Sequence, residues 1–284
     1  MEIQKDYYPS IAQSWGMLGI IILISLFVSP IVLLSDVLPV QGLAAFLSYA
    51  LSMGLPFLVF HLVRKKRTGE FSYAFKPSSA KVFVLIIVAT AAIQYGITGP
   101  LSNLIPMPEF FMKIFMDSTL NAQGFLPFIT VVVAEPVLEE LIFRGIILDG
   151  LLKKYSPTKA IIVSALLFGI VHLNPWQFVG ATILGLFIGW VYYRTRNLSL
   201  AILIHFVNNL IPAIIMNVSD AYKSGDVQAL MNETLVESYG GLVSMILIIS
   251  GCIVVAGACI YLLWKEFNEN KNNNHTISSS ELSE

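Results

Sequence analysis

The chain has 284 residues, of which 56% are hydrophobic and 12% charged, with a mean hydropathy of +0.76. Such a composition excludes an ordinary soluble domain and points to an all-α, polytopic membrane helix bundle. The balance of 17 basic and 18 acidic residues, with the bases scattered between apolar runs, excludes a nucleic-acid binder.

Eight apolar segments follow one another, at about 15–34, 42–63, 82–99, 125–152, 160–173, 176–193, 198–216 and 242–264. The first is too long for a signal-peptide core and has no evident small-residue cleavage site, so it reads as a span. Between the third and fourth, the stretch 100–124 gathers Phe110, Phe111, Met112, Ile114, Phe115 and Met116 around Lys113, which fits an interfacial helix or a packed loop helix. The fifth, at about 14 residues, is too short for a lipid-exposed crossing but not for a helix inside a bundle. It forms a helical hairpin with the sixth across Asn174-Pro175. Cys252 and Cys259 lie two turns apart on one face of the last segment, where they read as packing residues and cannot bridge. The tail 268–284, rich in Asn, Ser and Glu, has almost nothing to bury and is expected to be disordered.

Counting Lys and Arg by loop orients the bundle. With the N-terminus in the cytoplasm, 14 of the 17 bases fall on cytoplasmic loops, Lys113 and Lys223 fall outside, and Arg144 lies within a span. Every alternate loop then obeys the positive-inside rule, and both termini are expected to be cytoplasmic. The organisation expected is three spans and an outer segment over 1–124, a polar-bearing core over 125–216, an outer loop and last span over 217–267, and the tail over 268–284.

Function is expected in the fourth segment, which holds Glu135, Glu139, Glu140 and Arg144 within an apolar run. A mid-span acid or Arg costs roughly 2.5–3.5 kcal/mol on an insertion scale, so such residues need partners or a wet cavity and mark function by default. Glu140 and Arg144, four apart with the acid first, make a neutralising helical pair whose role is structural. Glu139 points about 100° away from Glu140 and is left for another task. Glu135 lies one turn before Glu139, where it lines a cavity or shares a water or proton with Glu139; it precedes Pro136, which frees the carbonyl of residue 132 in an α-helix. On other spans, His172 shares a helix face with Phe168, and His205 precedes Asn208 and Asn209 at i+3 and i+4. His61, beside the basic run 64–67, and His275, in the tail, read as interfacial and solvated.

These residues carry a family resemblance. Glu139-Glu140-Leu-Ile-Phe-Arg144-Gly145, Phe168-Gly-Ile-Val-His172 and His205-Phe-Val-Asn208-Asn209, with Pro136 three before Glu139 and Tyr192-Tyr193-Arg194-Thr195 in the linking text, resemble the three motifs of the CPBP intramembrane proteases. That family includes the type II CAAX prenyl endopeptidases and the bacteriocin-processing or immunity proteins. The match covers about 125–216, and Glu135 stands outside the pattern.

The resemblance implies amide hydrolysis by Glu139 as general base, with His172 holding or polarising the water and His205 and Asn209 donating to the oxyanion. Glu140 and Arg144 then orient Glu139, with Phe168 and Asn208 in support. No cofactor is required by that scheme. An alternative keeps Glu139, His172 and His205 as ligands of Zn2+ with water in the fourth position. The substrate is expected to be a membrane-embedded or lipid-associated protein or peptide, and the Ile- and Asn-rich composition suggests a bacterial plasma membrane, where prenylated substrates are less expected. Two rival readings use the same polar cluster: a non-catalytic membrane regulator or bacteriocin-immunity protein, and a transporter with a proton relay, for which there is no inverted repeat.

Overall fold

The computed structural model describes residues 7–35, 37–38, 40–108, 110–111, 124–218 and 234–281, with side chains excepted at 216–218 and beyond 269. Among the described residues it is helical and has no strand. Ser10 opens α1 (Ile11–Val28) with a capping box to Gln13, and a 3₁₀ turn, Ser29–Leu34, extends it. Helix α2 (Leu43–Thr68) ends at Gly69, whose φ of +74° suits glycine. Ser79 caps α3 (Ala80–Ile93), which continues through a π-helical turn, Gln94–Thr98, to Asn103.

The fourth helix, α4, runs unbroken over 125–151 but changes register along the way. Thr130–Ala134 and Leu141–Leu148 are π-helical, with Glu135 N–H on the Thr130 carbonyl five residues back. Such widened turns often sit at functional sites. Helices α5 (Pro157–Ile170) and α6 (Pro175–Thr195) form the expected hairpin, each with proline in its first turn and α6 capped by the Asn174 side chain. Then come α7 (Leu198–Val218), a single turn α8 (Leu235–Ser238) and α9 (Leu242–Glu281).

Among the described residues, six helices are long and apolar enough to cross a membrane: Ile11–Leu34, Leu43–Thr68, Ala80–Asn103, Pro175–Thr195, Leu198–Ile215 and Leu242–Glu269. The other two expected crossings are the charged α4 and the short α5. Polarity is arranged inside out. Residues 142–148 of α4 are fully buried, Arg144 included, whereas Phe27, Leu33, Leu247 and Val254 on the outer helices α1 and α9 are exposed. Apolar surface facing outward from a charged centre is what lipid solvation favours. The chain is a multi-pass integral membrane protein.

The basic loops gather at one end of the bundle. Asn197 binds the backbone of Lys76 through both its amide atoms, at 3.1 and 2.8 Å, and Arg196 reaches Asp149 at 3.1 Å. Lys81 pairs with Glu266, and Lys154 lies over the Tyr7 ring. Helix α9 extends to Glu281, whereas composition points to a disordered tail from 268; a helix satisfies its own backbone hydrogen bonds without anything to bury. Cys252 and Cys259 are free thiols, the second buried. His61 is half-buried with Nδ1 2.9 Å from the Tyr73 hydroxyl, and so is packed as well as interfacial. Residues 112–123, most of the expected interfacial helix, lie outside the described residues; of its aromatic group, Phe111 meets Trp176 in a tilted contact at 5.8 Å between ring centroids.

Candidate active site

Phe168, fully buried on α5, is the hub. Its ring meets the edges of His172 at 5.3 Å and His205 at 5.4 Å between centroids, and Arg144 lies over it at 4.4 Å. Histidines 33 residues apart in sequence, one in the turn after α5 and one on α7, thus flank one aromatic ring. The hub can form because α5 and α6 approach closely at Gly169, where a Cβ would stand 2.2 Å from Thr182 Oγ1 and 2.9 Å from the Phe178 carbonyl.

The Glu140–Arg144 pair is present, wholly buried, at 2.7 Å. Arg144 also donates to the Gly185 carbonyl on α6 at 3.3 Å. The same Glu140 oxygen lies 3.0 Å from His205 Nδ1. An ionised carboxylate only accepts, so Nδ1 carries the proton and Nε2 is left for other work. Glu140 therefore joins Arg144 to His205, and its bond to His205, 65 residues away, is one that helix spacing does not predict.

His172 is oriented differently. Its Nδ1 donates to the Phe168 carbonyl at 2.8 Å, leaving Nε2 as the free nitrogen. The residue after it, Leu173, has a φ of +56°, an unfavourable conformation for a branched side chain. The turn is held by Asn174 Nδ2 donating to the His172 carbonyl at 3.0 Å.

Glu139 is 5% exposed and accepts from Tyr49 Oη at 3.1 Å. Its second oxygen, Oε2, is buried without a hydrogen-bond partner among the described residues. Tyr49 on α2 was not readable as a site residue, because one tyrosine in an apolar span gives no signal of what it faces. Glu135 is half-buried one turn earlier.

Asn209 donates to the Val131 carbonyl at 2.9 Å and accepts from Asn208 at 3.1 Å. The reason lies in the register of α4. Because its turn at 130–134 is π-helical, Pro136 stands where the donor to Val131, not to residue 132, is due, and Pro136 has no N–H. This corrects the α-helical expectation by one residue. A second proline repeats the device: Pro212 cannot serve the Asn208 carbonyl, and Gln94 Nε2 donates to it instead at 3.1 Å. Gln94, like Tyr49, was missed. The amide of Asn209 retains one free N–H.

A zinc site would need Glu139, His172 and His205 all about 2.0–2.2 Å from one ion. Among the described residues no three His, Cys, Asp or Glu side chains are grouped so as to hold a metal. No step below passes through a metal.

A buried acid pair on α4, one histidine just past α5, and a histidine and an amide on α7 make up a polar cluster inside a membrane bundle. Residues 121–211 match the family model "Type II CAAX prenyl endopeptidase Rce1-like", which encloses all three motif stretches. A Bacillus subtilis (strain 168) protein described as "Putative membrane peptidase YdiL" is 26% identical over 187 residues, 61% of this chain and 71% of that one. No solved structure matches. Over residues 121–211, about a third of the chain, the sequence is thus similar to the CPBP type of membrane endopeptidase.

Proposed function

We propose that the protein is an intramembrane endopeptidase that hydrolyses a peptide bond of a membrane-associated protein or peptide. The observation that carries this reading is the Glu139 carboxylate, almost fully buried, with Tyr49 on one oxygen and Oε2 unpartnered among the described residues. A buried acceptor of this kind calls for a partner, and a water in that role would bring a proton within reach of the carboxylate, which supports the reading.

In the step proposed, Glu139 Oε2 takes a proton from water while His172 Nε2 accepts a hydrogen bond from the other hydrogen. The water oxygen bonds to the scissile carbonyl carbon, whose π electrons move onto oxygen. The remaining N–H of Asn209 donates to that oxyanion. His205, held at Nδ1 by Glu140, presents Nε2 beside it as a second polar contact. As the C–N bond breaks, Glu139 returns its proton to the departing amine. Arg144 holds Glu140 in position through their ion pair and Phe168 keeps both imidazoles in place.

The test compares membrane peptides and proteins from cells holding the wild type with those from cells holding Glu139→Gln at equal abundance. An uncleaved species that accumulates in the variant names the substrate. Identical profiles from active-level expression of both would replace the enzyme by a non-catalytic regulator.

A further inference from the structure

A second charged cluster surrounds a cavity of about 340 Å³ at the basic end of the bundle, away from Glu139. Its wall includes Arg64 of α2, Glu70, Asp149 of α4, Lys153, and Tyr192 and Arg196 at the end of α6. Asp149 is the centre. It lies 2.8 Å from Lys153, 3.1 Å from Arg196, 3.3 Å from the Tyr192 hydroxyl and 3.6 Å from Arg64. Glu70 pairs with Arg64 at 3.3 Å and with Lys153. Three cations thus face two carboxylates, and the wall keeps one positive charge in excess.

The cations differ in availability. The Arg64 side chain is 6% exposed, and its second amine is tied to the Ser72 carbonyl at 3.2 Å, so it forms a fixed back wall. Lys153 and Arg196 are 34% and 39% exposed, and the structure gives Arg196 an ion pair to Asp149 alone. Arg196 also sits in the left-handed region, with φ +48° and ψ +44°, directly after α6. Glycine or asparagine is usual there, and Asn197 stands one position later.

We propose that this cavity binds the headgroup of an anionic phospholipid, a phosphodiester with a single negative charge, with its phosphate between Lys153 and Arg196. Three observations support it. The cavity lies where α2, α4 and α6 end and α7 begins, the level of headgroups in a bilayer. Its excess charge is neutralised by a phosphodiester and would be overshot by a doubly charged phosphomonoester. Arginine offers a planar fork that fits phosphate oxygens, and basic pockets between spans are a recurrent form of headgroup site.

The experiment uses the full chain, purified in detergent and mixed with equal amounts of phosphatidylglycerol and phosphatidylcholine bearing the same acyl chains, with retained lipid read by native mass spectrometry. One phosphatidylglycerol per chain is expected to be retained in preference. Lys153→Gln and Arg196→Gly are each expected to weaken that preference about fivefold, the equivalent of about 1 kcal/mol per cation near a phosphate. Arg196→Gly keeps the left-handed backbone, so its fold is preserved, and Lys153→Gln provides the same reading at an independent position. Lys65→Gln, exposed at the end of α2, is expected to change nothing. Equal retention of the two lipids by wild type, or wild-type preference in both cavity variants, overturns the proposal. Displacement of the lipid by millimolar inorganic phosphate at matched affinity would assign the cavity to the free ion and overturn it too.

Discussion

Glu140 Oε1 accepts from Arg144 at 2.7 Å and lies 3.0 Å from His205 Nδ1, so one buried oxygen holds a guanidinium and an imidazole together. Glu140→Gln removes the charge on which both depend. Breaking a buried pair in this way costs about 3–5 kcal/mol, because the surviving charge is left uncompensated. The expected outcome is a large fall in membrane abundance or thermal stability. Glu139→Gln, by contrast, should abolish turnover while abundance stays near wild type. Measuring both variants by quantitative blot and peptide release separates the roles; equal abundance for the two would remove the distinction.

Tyr49→Phe tests what holds the proposed base. A hydrogen bond to a charged group contributes about 1.5–3 kcal/mol, or roughly 10- to 100-fold. Turnover is expected to fall by that range, with substrate affinity and abundance little altered, since the ring that packs is retained. Unchanged kcat in Tyr49→Phe would show that Glu139 is positioned without it.

Asn209→Ala bears on both chemistry and metal. Losing one oxyanion donor lowers kcat about 100- to 1000-fold elsewhere. The same change leaves the Val131 carbonyl without its donor, at about 1–3 kcal/mol of stability. Zinc content is the control. If Glu139, His172 and His205 rearranged to bind zinc, active enzyme would carry it stoichiometrically and lose it with activity on chelation, and Asn209→Ala would leave it bound. Such a result would recast Glu139 as a ligand.

Gly169→Ala tests the hairpin. Its Cβ would fall 2.2 Å from Thr182 Oγ1, where a rotamer change gives relief, but also 2.9 Å from the Phe178 backbone carbonyl, where none is available. Overpacking of this type costs about 1–3 kcal/mol. A lower melting temperature is expected, with loss of activity as Phe168 and His172 shift; a variant as stable as wild type would mean that α5 and α6 part without cost.

What the sequence disclosed and what it hid follow from the range of the physics. The helical bundle was legible from apolar run length, and the Glu140–Arg144 pair from i,i+4 spacing, since both depend on neighbours within a turn or a span. The α5–α6 hairpin was legible from Asn174-Pro175. The bond from Glu140 to His205 was not, because it depends on how α4 packs against α7. Pro136 was correctly read as freeing a carbonyl, but the wrong one, because a π-helical turn moves the register by one residue and has no signature in composition. Tyr49 and Gln94 escaped because an aromatic or an amide in an apolar span shows its role only through what it touches.

The two prolines make one last prediction separable from all of these. Asn208, next to Asn209, has a carbonyl whose helical donor is missing at Pro212, and Gln94 supplies the donor at 3.1 Å. Gln94→Leu should therefore cost about 1–3 kcal/mol, the penalty of a buried acceptor left unmade. Pro212→Ala restores the backbone N–H four residues on and gives the carbonyl a partner within α7. In that background Gln94→Leu should be close to neutral, within about 0.5 kcal/mol. A double-mutant cycle on thermal or denaturant stability reads the coupling directly. Additive effects of the two substitutions would show that Gln94 stabilises the bundle by packing alone, and that the amide chain from Gln94 through Asn208 to Asn209 is not what holds the proposed oxyanion donor in position.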